Sequence, residues 1–147
     1  MPFHLLNPLP IIGPWWRRLV GKWDRRDAAA DTFRRAVLKE LRGLYPRPVE
    51  WPERAGIDKR LRAVFPAMQE AVEGFRPYVK DQQGFEDAWR SYRTSTKRDI
   101  DNQDYTHYMN FGTHSGNLNG DVLHIKQEGK ANCRRNVDRL LSFAKEP

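Results

Sequence analysis

Apolar side chains recur three or four positions apart through most of this chain, and that regularity constrains the fold more than any motif in it. Leu19, Trp23, Ala30, Phe33, Val37, Leu41 and Leu44 make one such run. Leu61, Val64, Phe65, Met68, Val72 and Phe75 make a second, and Phe85, Ala88, Trp89 and Tyr92 a third. A spacing near 3.6 gathers each set onto one face of a helix, whereas a strand requires strict alternation.

The punctuation between these runs agrees with helices. Gly13-Pro14 suits a helix start, because proline at the first helical position gives up no hydrogen bond that the helix would have made. Tyr45, Pro46 and Pro48 are expected to end that first helix. Gly21 leaves open a division into two, the second starting near Trp23 or Asp24. Residues 46–56 read as a proline-rich connector pinned to the core by Trp51. Asp58 opens the next helix near Ile57, Pro66 is expected to kink or break it, and Pro77 stops it. Asp81 starts a short third helix, and Asp101 a fourth carrying Tyr105, Tyr108, Met109 and Phe111.

Residues 112–130 change character. Gly112, Gly116, Gly120 and Gly129 with Asn117 and Asn119 read as a Gly/Asn-rich excursion, interrupted at 122–126 by an alternating run that is either one short strand or part of a loop. A last helix over about 131–144 aligns Val137, Leu140, Leu141 and Ala144. The expected fold is all-α: one antiparallel bundle of four to six helices over 14–147, behind a proline-broken N-terminal arm, 1–13. The 147 residues suit a single domain and carry no internal repeat.

Charge narrows the function classes. Twenty-six basic against 19 acidic residues give +7, and 18 of the 26 are arginine, whose planar fork matches phosphate and carboxylate. The surplus is uneven, with 10 basic and 5 acidic groups in residues 1–50 but 6 of each in 101–147. A polyanionic partner fits that bias. The single cysteine, Cys133, cannot form an internal disulfide, which points to a reducing compartment and a cytoplasmic protein. No run approaches the ~18 continuous apolar residues of a spanning helix, and the segment 2–13 lacks the basic start and small-residue cleavage site of a secretory signal.

Signals for chemistry are weaker. His107, His114 and His124 fall within 18 residues, with Asp104, Asp121 and Glu128 nearby, but gaps of seven and ten do not impose the i, i+3 or i, i+4 geometry of a helix-borne metal pair. Surface or loop histidines are the reading favoured here, and neither a metal nor a cofactor is expected. Gly112 to Gly116 has the order G-x-x-S-G, so Ser115 is a turn residue and not a nucleophile elbow. Cys133 sits beside Arg134 and Arg135, which could lower its pKa, although a buried, inert thiol is the simpler reading. Glu86 with Asp87, and Asp99, Asp101 and Asp104, read as caps and solvated faces. No small-molecule substrate is evident.

The strongest functional signal is at the front. Trp15, Trp16, Arg17, Arg18, Lys22, Arg25 and Arg26, with Arg34 and Arg35 further on, interleave cations with flat apolar rings. On a helix Arg18, Lys22 and Arg25 lie at i, i+4 and i+7. Such a strip neutralises phosphates while indoles stack on unpaired bases. Its bland counterpart is a solvated basic face partly neutralised by Asp24, Asp27 and Asp31. The leading expectation is a non-enzymatic binding protein that presents this helix to a nucleic acid or nucleoprotein, or that blocks a bacterial or phage protein machine. Two alternatives stand beside it: a peripheral membrane protein using the amphipathic N-terminal segment, and a metal-independent nuclease using His107 or His124 with Lys126 or Arg134.

Phe75-Arg76-Pro77-Tyr78, Phe85 with Ala88-Trp89 and Tyr92, and Arg135-Asn136-Val137 followed by Leu140-Leu141-Ser142-Phe143-Ala144 carry a resemblance. Over residues 24–144 the chain is similar to a group of short bacterial all-helical proteins of no established activity. The resemblance implies a helical fold and transfers no active site. Similar proteins often place a membrane-spanning segment ahead of the basic first helix, where this chain has its short arm.

Overall fold

The computed structural model describes residues 14–53, 56–95, 103–109 and 121–145, with side chains from residue 21 onward except at the start of the last helix, 121–127. The arm 1–13 lies outside the described residues, as do Phe111, His114 and Ser115. Among the described residues the fold is all-α, built from four helices: α1 (Pro14–Glu40), α2 (Gly56–Phe75), α3 (Gln82–Arg93) and α4 (Asp121–Ser142).

α1 begins at Pro14 and continues through Gly21 without interruption, so the division into two helices does not occur. It ends at Glu40, earlier than the prolines. The stop is Gly43, whose φ of 86° lies in the left-handed region that glycine occupies without strain. A Cβ there would meet the Glu50 side chain at 2.6 Å, in the turn closed by Glu50 N–H donating to Gly43 O. Trp51 is half-buried and packs on the core, as a connector anchor should. α2 runs on through Pro66, whose ring is exposed. Neither a break nor a new helix follows it. α3 matches its sequence signal closely: the Asp81 carboxylate caps the helix by accepting from Gly84 N–H at 2.9 Å, and Phe85, Ala88, Trp89 and Tyr92 are its buried face.

Two expectations fail. The helix expected from Asp101 is only a 3-10 turn over Thr106–Tyr108. Asp104 N–H donates to Arg93 O at 2.7 Å and Ser95 N–H to Asp104 O at 3.2 Å, a bridge to the end of α3 that takes the backbone groups a helix would need. At the other end, the short strand or loop over 122–126 is helix, because α4 starts at Asp121 and not near residue 131. Gly129, expected in the Gly/Asn-rich excursion, is buried and continues the stripe that passes through Cys133, Val137, Leu140 and Ala144.

The core joins all four helices. Phe33 of α1 stacks on Phe75 of α2 at 4.9 Å and meets Phe85 of α3 edge-on at 6.0 Å. Phe85 in turn meets Phe143, just past α4, at 5.4 Å. Offset and edge-to-face rings at these separations add to the stabilisation from burial itself. A second aromatic layer runs Phe65, Trp89, Tyr92, Tyr105 and Tyr108, so the irregular segment 103–109 is locked by two fully buried tyrosines.

Candidate nucleic-acid interface

The two helices that pack most extensively on each other differ in length, α1 having 27 residues and α2 only 20. At ~1.5 Å per residue, α1 is about 40 Å long against about 30 Å. Its buried residues start at Ala30 and continue with Phe33 and Val37, and none of residues 21–29 is buried. The front of α1 therefore runs past the body that covers its rear.

Trp23 shows what this does to a side chain. It stands seven residues before Ala30, two helical turns along the same stripe, yet is 69% exposed. Lys22, Asp24 and Arg25 beside it are exposed as well. Arg25 turns its Nε onto Gly21 O at 3.1 Å, one turn back, which leaves the rest of its fork outward. Arg26 is half-buried, 3.9 Å from Asp27. Trp15, Trp16, Arg17 and Arg18 belong to the same helical stretch, but their side chains lie outside the described residues.

Arg34 and Arg35 stand apart from this group, over the body. Both face Asp31, at 3.8 and 2.9 Å, and Arg34 also donates to Ala144 O beyond α4. Arg34 thus ties α1 to the C-terminal end of the bundle. Arg35 remains 80% exposed despite its ion pair, and an exposed pair of this kind contributes little to stability. Lys22, Trp23, Arg25 and Arg26 fall within about one turn of α1, where Arg26, three positions on, is the cation on the same side as Trp23; Arg34 and Arg35 stand about two turns further along.

The histidine-bearing region gives a polar knot. His107 Nε2 lies 2.9 Å from Ser91 O, and its ring packs against Tyr108 with centroids 3.7 Å apart. Tyr108 donates to Tyr92 O at 2.9 Å, Asn136 donates to both Ser91 O and Tyr108 Oη at 3.0 Å, and Asn132 donates to His107 O at 3.0 Å. These bonds fasten the turn Thr106–Tyr108 to α3 and α4. Burial lowers the His107 pKa, although Ser91 O and the Asp104 carboxylate favour its charged form. Burial also pushes on Asp104 upward, but hydrogen bonds from Thr106 and Ser95 outweigh it and hold that carboxyl low. Asparagine at 132 and 136 was the signal available in the sequence, four apart on one face of α4; nothing there marked Ser91 as the partner.

Cys133 is fully buried, and burial pushes its thiol up to about 12. Arg134 and Arg135 do not lower it: both are exposed, on the outer side of α4. Glu86 and Asp87 are held separately, by Arg76 at 2.5 Å and Arg90 at 2.6 Å, and do not form a shared carboxylate site. Among the described residues no group of three or more His, Cys, Asp and Glu could hold a metal ion, and no helix is long and apolar enough to cross a membrane. Compared with protein-family models, curated proteins and solved structures, the chain matches none.

Proposed function

We propose that this chain is a non-enzymatic binding protein which presents the front half of α1 to a nucleic acid, free or within a nucleoprotein, and works in the cytoplasm. The observation that carries this reading is Trp23, exposed on a stretch of α1 that also carries Lys22, Arg25 and Arg26 and on which no described side chain is buried. A large exposed indole beside cations is what a strand of unpaired bases can use: phosphates meet the cations and a base stacks on the ring, at about 1–3 kcal/mol per stacked base. The body behind it acts as a mount. In this reading it is an antiparallel bundle, supported by the stacking of Phe33 on Phe75 while Arg60, at the other end of α2, reaches the carbonyls of Glu40 and Arg42. Kinship with the short bacterial helical proteins belongs to the same proposal. Its supporting feature is that Phe75, Phe85, Trp89, Tyr92, Val137 and Leu140 of the shared patterns are all core residues.

A membrane surface is the rival occupant, since Trp23 continues an apolar stripe. Fluorescent single-stranded DNA and anionic vesicles, each titrated with the full chain from 50 to 300 mM salt, separate the two. The expected result is oligonucleotide binding that weakens with a log-log salt slope of roughly 3, as ~4–5 neutralised phosphates on a single strand require, with the chain left unbound by vesicles. Vesicle flotation without oligonucleotide binding would replace this reading by the membrane one.

A further inference from the structure

Most of the cationic surplus among the described side chains lies on the body and not on the front of α1. Residues 21–27 hold three cations against two carboxylates, and residues 56–95, with α2 and α3, hold seven against six. The rear of α1 and the turn after it, 31–42, taken with 128–145 of α4 and its end, hold nine against four. Two side-chain bonds join these last two stretches into one surface: Arg34 donates to Ala144 O, and Tyr45 donates to the Asp138 carboxylate. Arg35 and Arg42 are exposed on the α1 side of that seam, Arg134 and Lys145 on the α4 side. Arg135 and Arg139 extend the exposed charge around α4.

The carboxylates along the seam are already engaged. Asp31 faces Arg34 and Arg35, and Asp138 holds Tyr45 and lies 3.9 Å from Arg134. Among the described residues no carboxylate pairs with Arg42, Arg135, Arg139 or Lys145. Arg135 donates to Asn132 Oδ1 at 2.6 Å and Arg139 to Ser91 Oγ at 3.5 Å, both neutral. Apolar surface is scarce: of the large apolar side chains exposed among the described residues, only Leu38 lies on the rear of α1, at 43%. A protein interface is built on a desolvated core with aromatic anchors, and an unpaired strand needs exposed rings on which its bases stack. This surface offers neither. It offers arginine forks on two elements, which suit the two phosphate backbones that flank a groove of a duplex whose bases are already stacked.

We infer that this surface is a second nucleic-acid site, which takes the backbone of a duplex through its phosphates and does not read its bases. Contacts of this kind set position and affinity without carrying sequence information. The site is separate from the front of α1 and does not depend on what binds there: Arg35 stands 12 residues, about 18 Å of helix, beyond Trp23.

A fluorescent blunt-ended DNA duplex, titrated with the full chain over a range of salt, tests it. The parent chain is expected to bind with a log-log salt slope of about 4–5, as ~5 neutralised phosphates require. Arg42→Gln, Arg135→Gln and Lys145→Gln together, all at exposed positions, should lose at least tenfold in affinity and lower the slope by about 3. Lys39→Gln, Lys59→Gln and Lys80→Gln together remove the same charge from other exposed positions and should stay within about threefold of the parent. No duplex binding by the parent, binding without a salt slope, or equal losses in the two triple variants would overturn the site. Binding of poly-glutamate in place of the duplex would overturn it in favour of an acidic protein partner. Should the first triple variant unfold early, its three single substitutions serve instead, each lowering the slope by about 1. A single-stranded oligonucleotide titrated alongside keeps the two surfaces apart: loss of its binding with duplex binding retained strikes the reading of the front of α1 and supports the second site.

Discussion

The front half of α1 and the segment 103–109 are opposites. The first is regular helix without a buried side chain among residues 21–29; the second is irregular backbone around two tyrosines with no exposed surface. Helical hydrogen bonds hold the one. Burial and a knot of bonds, from the His107 ring to Ser91 O and from the Asn132 and Asn136 side chains to His107 O and Tyr108 Oη, hold the other. Regular geometry and stabilisation are therefore separate properties in this molecule. What is regular but unburied is free to meet a partner, and what is buried but irregular sets the positions of α3 and α4.

The largest effect should come from breaking the second region. Tyr108→Ala removes a fully buried ring and is expected to cost about 3–5 kcal/mol, measured by chemical unfolding. Tyr108→Phe keeps the ring but deletes the bonds to Tyr92 O and Asn136, for about 1–3 kcal/mol. A loss for Tyr108→Phe equal to that for Tyr108→Ala would mean that the knot, and not the ring, carries the segment.

Acid sharpens the same contrast. Burial holds the His107 imidazole below its ordinary value of 6.5, so the unfolded chain takes up this proton first as the pH falls. The contribution is complete above about pH 6.5 and is lost as the pH drops through the lower folded value. Thermal unfolding compared at pH 7.5 and pH 5 should show a smaller acid loss in His107→Gln than in the parent chain. An unchanged loss would place the acid sensitivity elsewhere.

The smallest effect probes the first region. A Cβ on Gly21 would lie 3.8 Å from the Arg25 guanidinium, an ordinary contact. Gly21→Ala should therefore stabilise the local helix by about 1 kcal/mol, read as slower amide exchange over residues 17–25, with little change in the global unfolding midpoint. If the global midpoint rises by the full amount instead, the front of α1 is coupled to the core and the contrast fails.

How much of this could be read in advance follows from the same distinction. α3 was legible because its signals are local: Asp81 caps it and four residues at helical spacing bury it. α4 is about ten residues longer than its spacing predicts because Gly129 looks like punctuation, when its small size lets it sit buried in the stripe. The segment 103–109 departs from its periodicity because the Asp104 backbone is bonded to Arg93 and Ser95, eleven and nine residues away, and periodicity carries no information about that. At the candidate interface the residue types were visible and their exposure was not. Spacing places Trp23 on the stripe of Ala30 and Val37; only the shorter length of α2 leaves it in solvent. Spacing likewise could not reveal that Arg34 is engaged with Ala144 while Arg25 is not.

The claim that matters most is that the front of α1 serves contact and contributes little to folding. Lys22→Glu, Trp23→Ala and Arg25→Glu combined in one chain, assayed for single-stranded oligonucleotide affinity and thermal unfolding in the same buffer, test it directly. The expected result is at least a tenfold loss of affinity and a flatter salt dependence, with the unfolding midpoint shifted by no more than about 0.5 kcal/mol equivalent per substitution, as for surface changes. Affinity retained at the parent level, or a collapse of the midpoint, would contradict it.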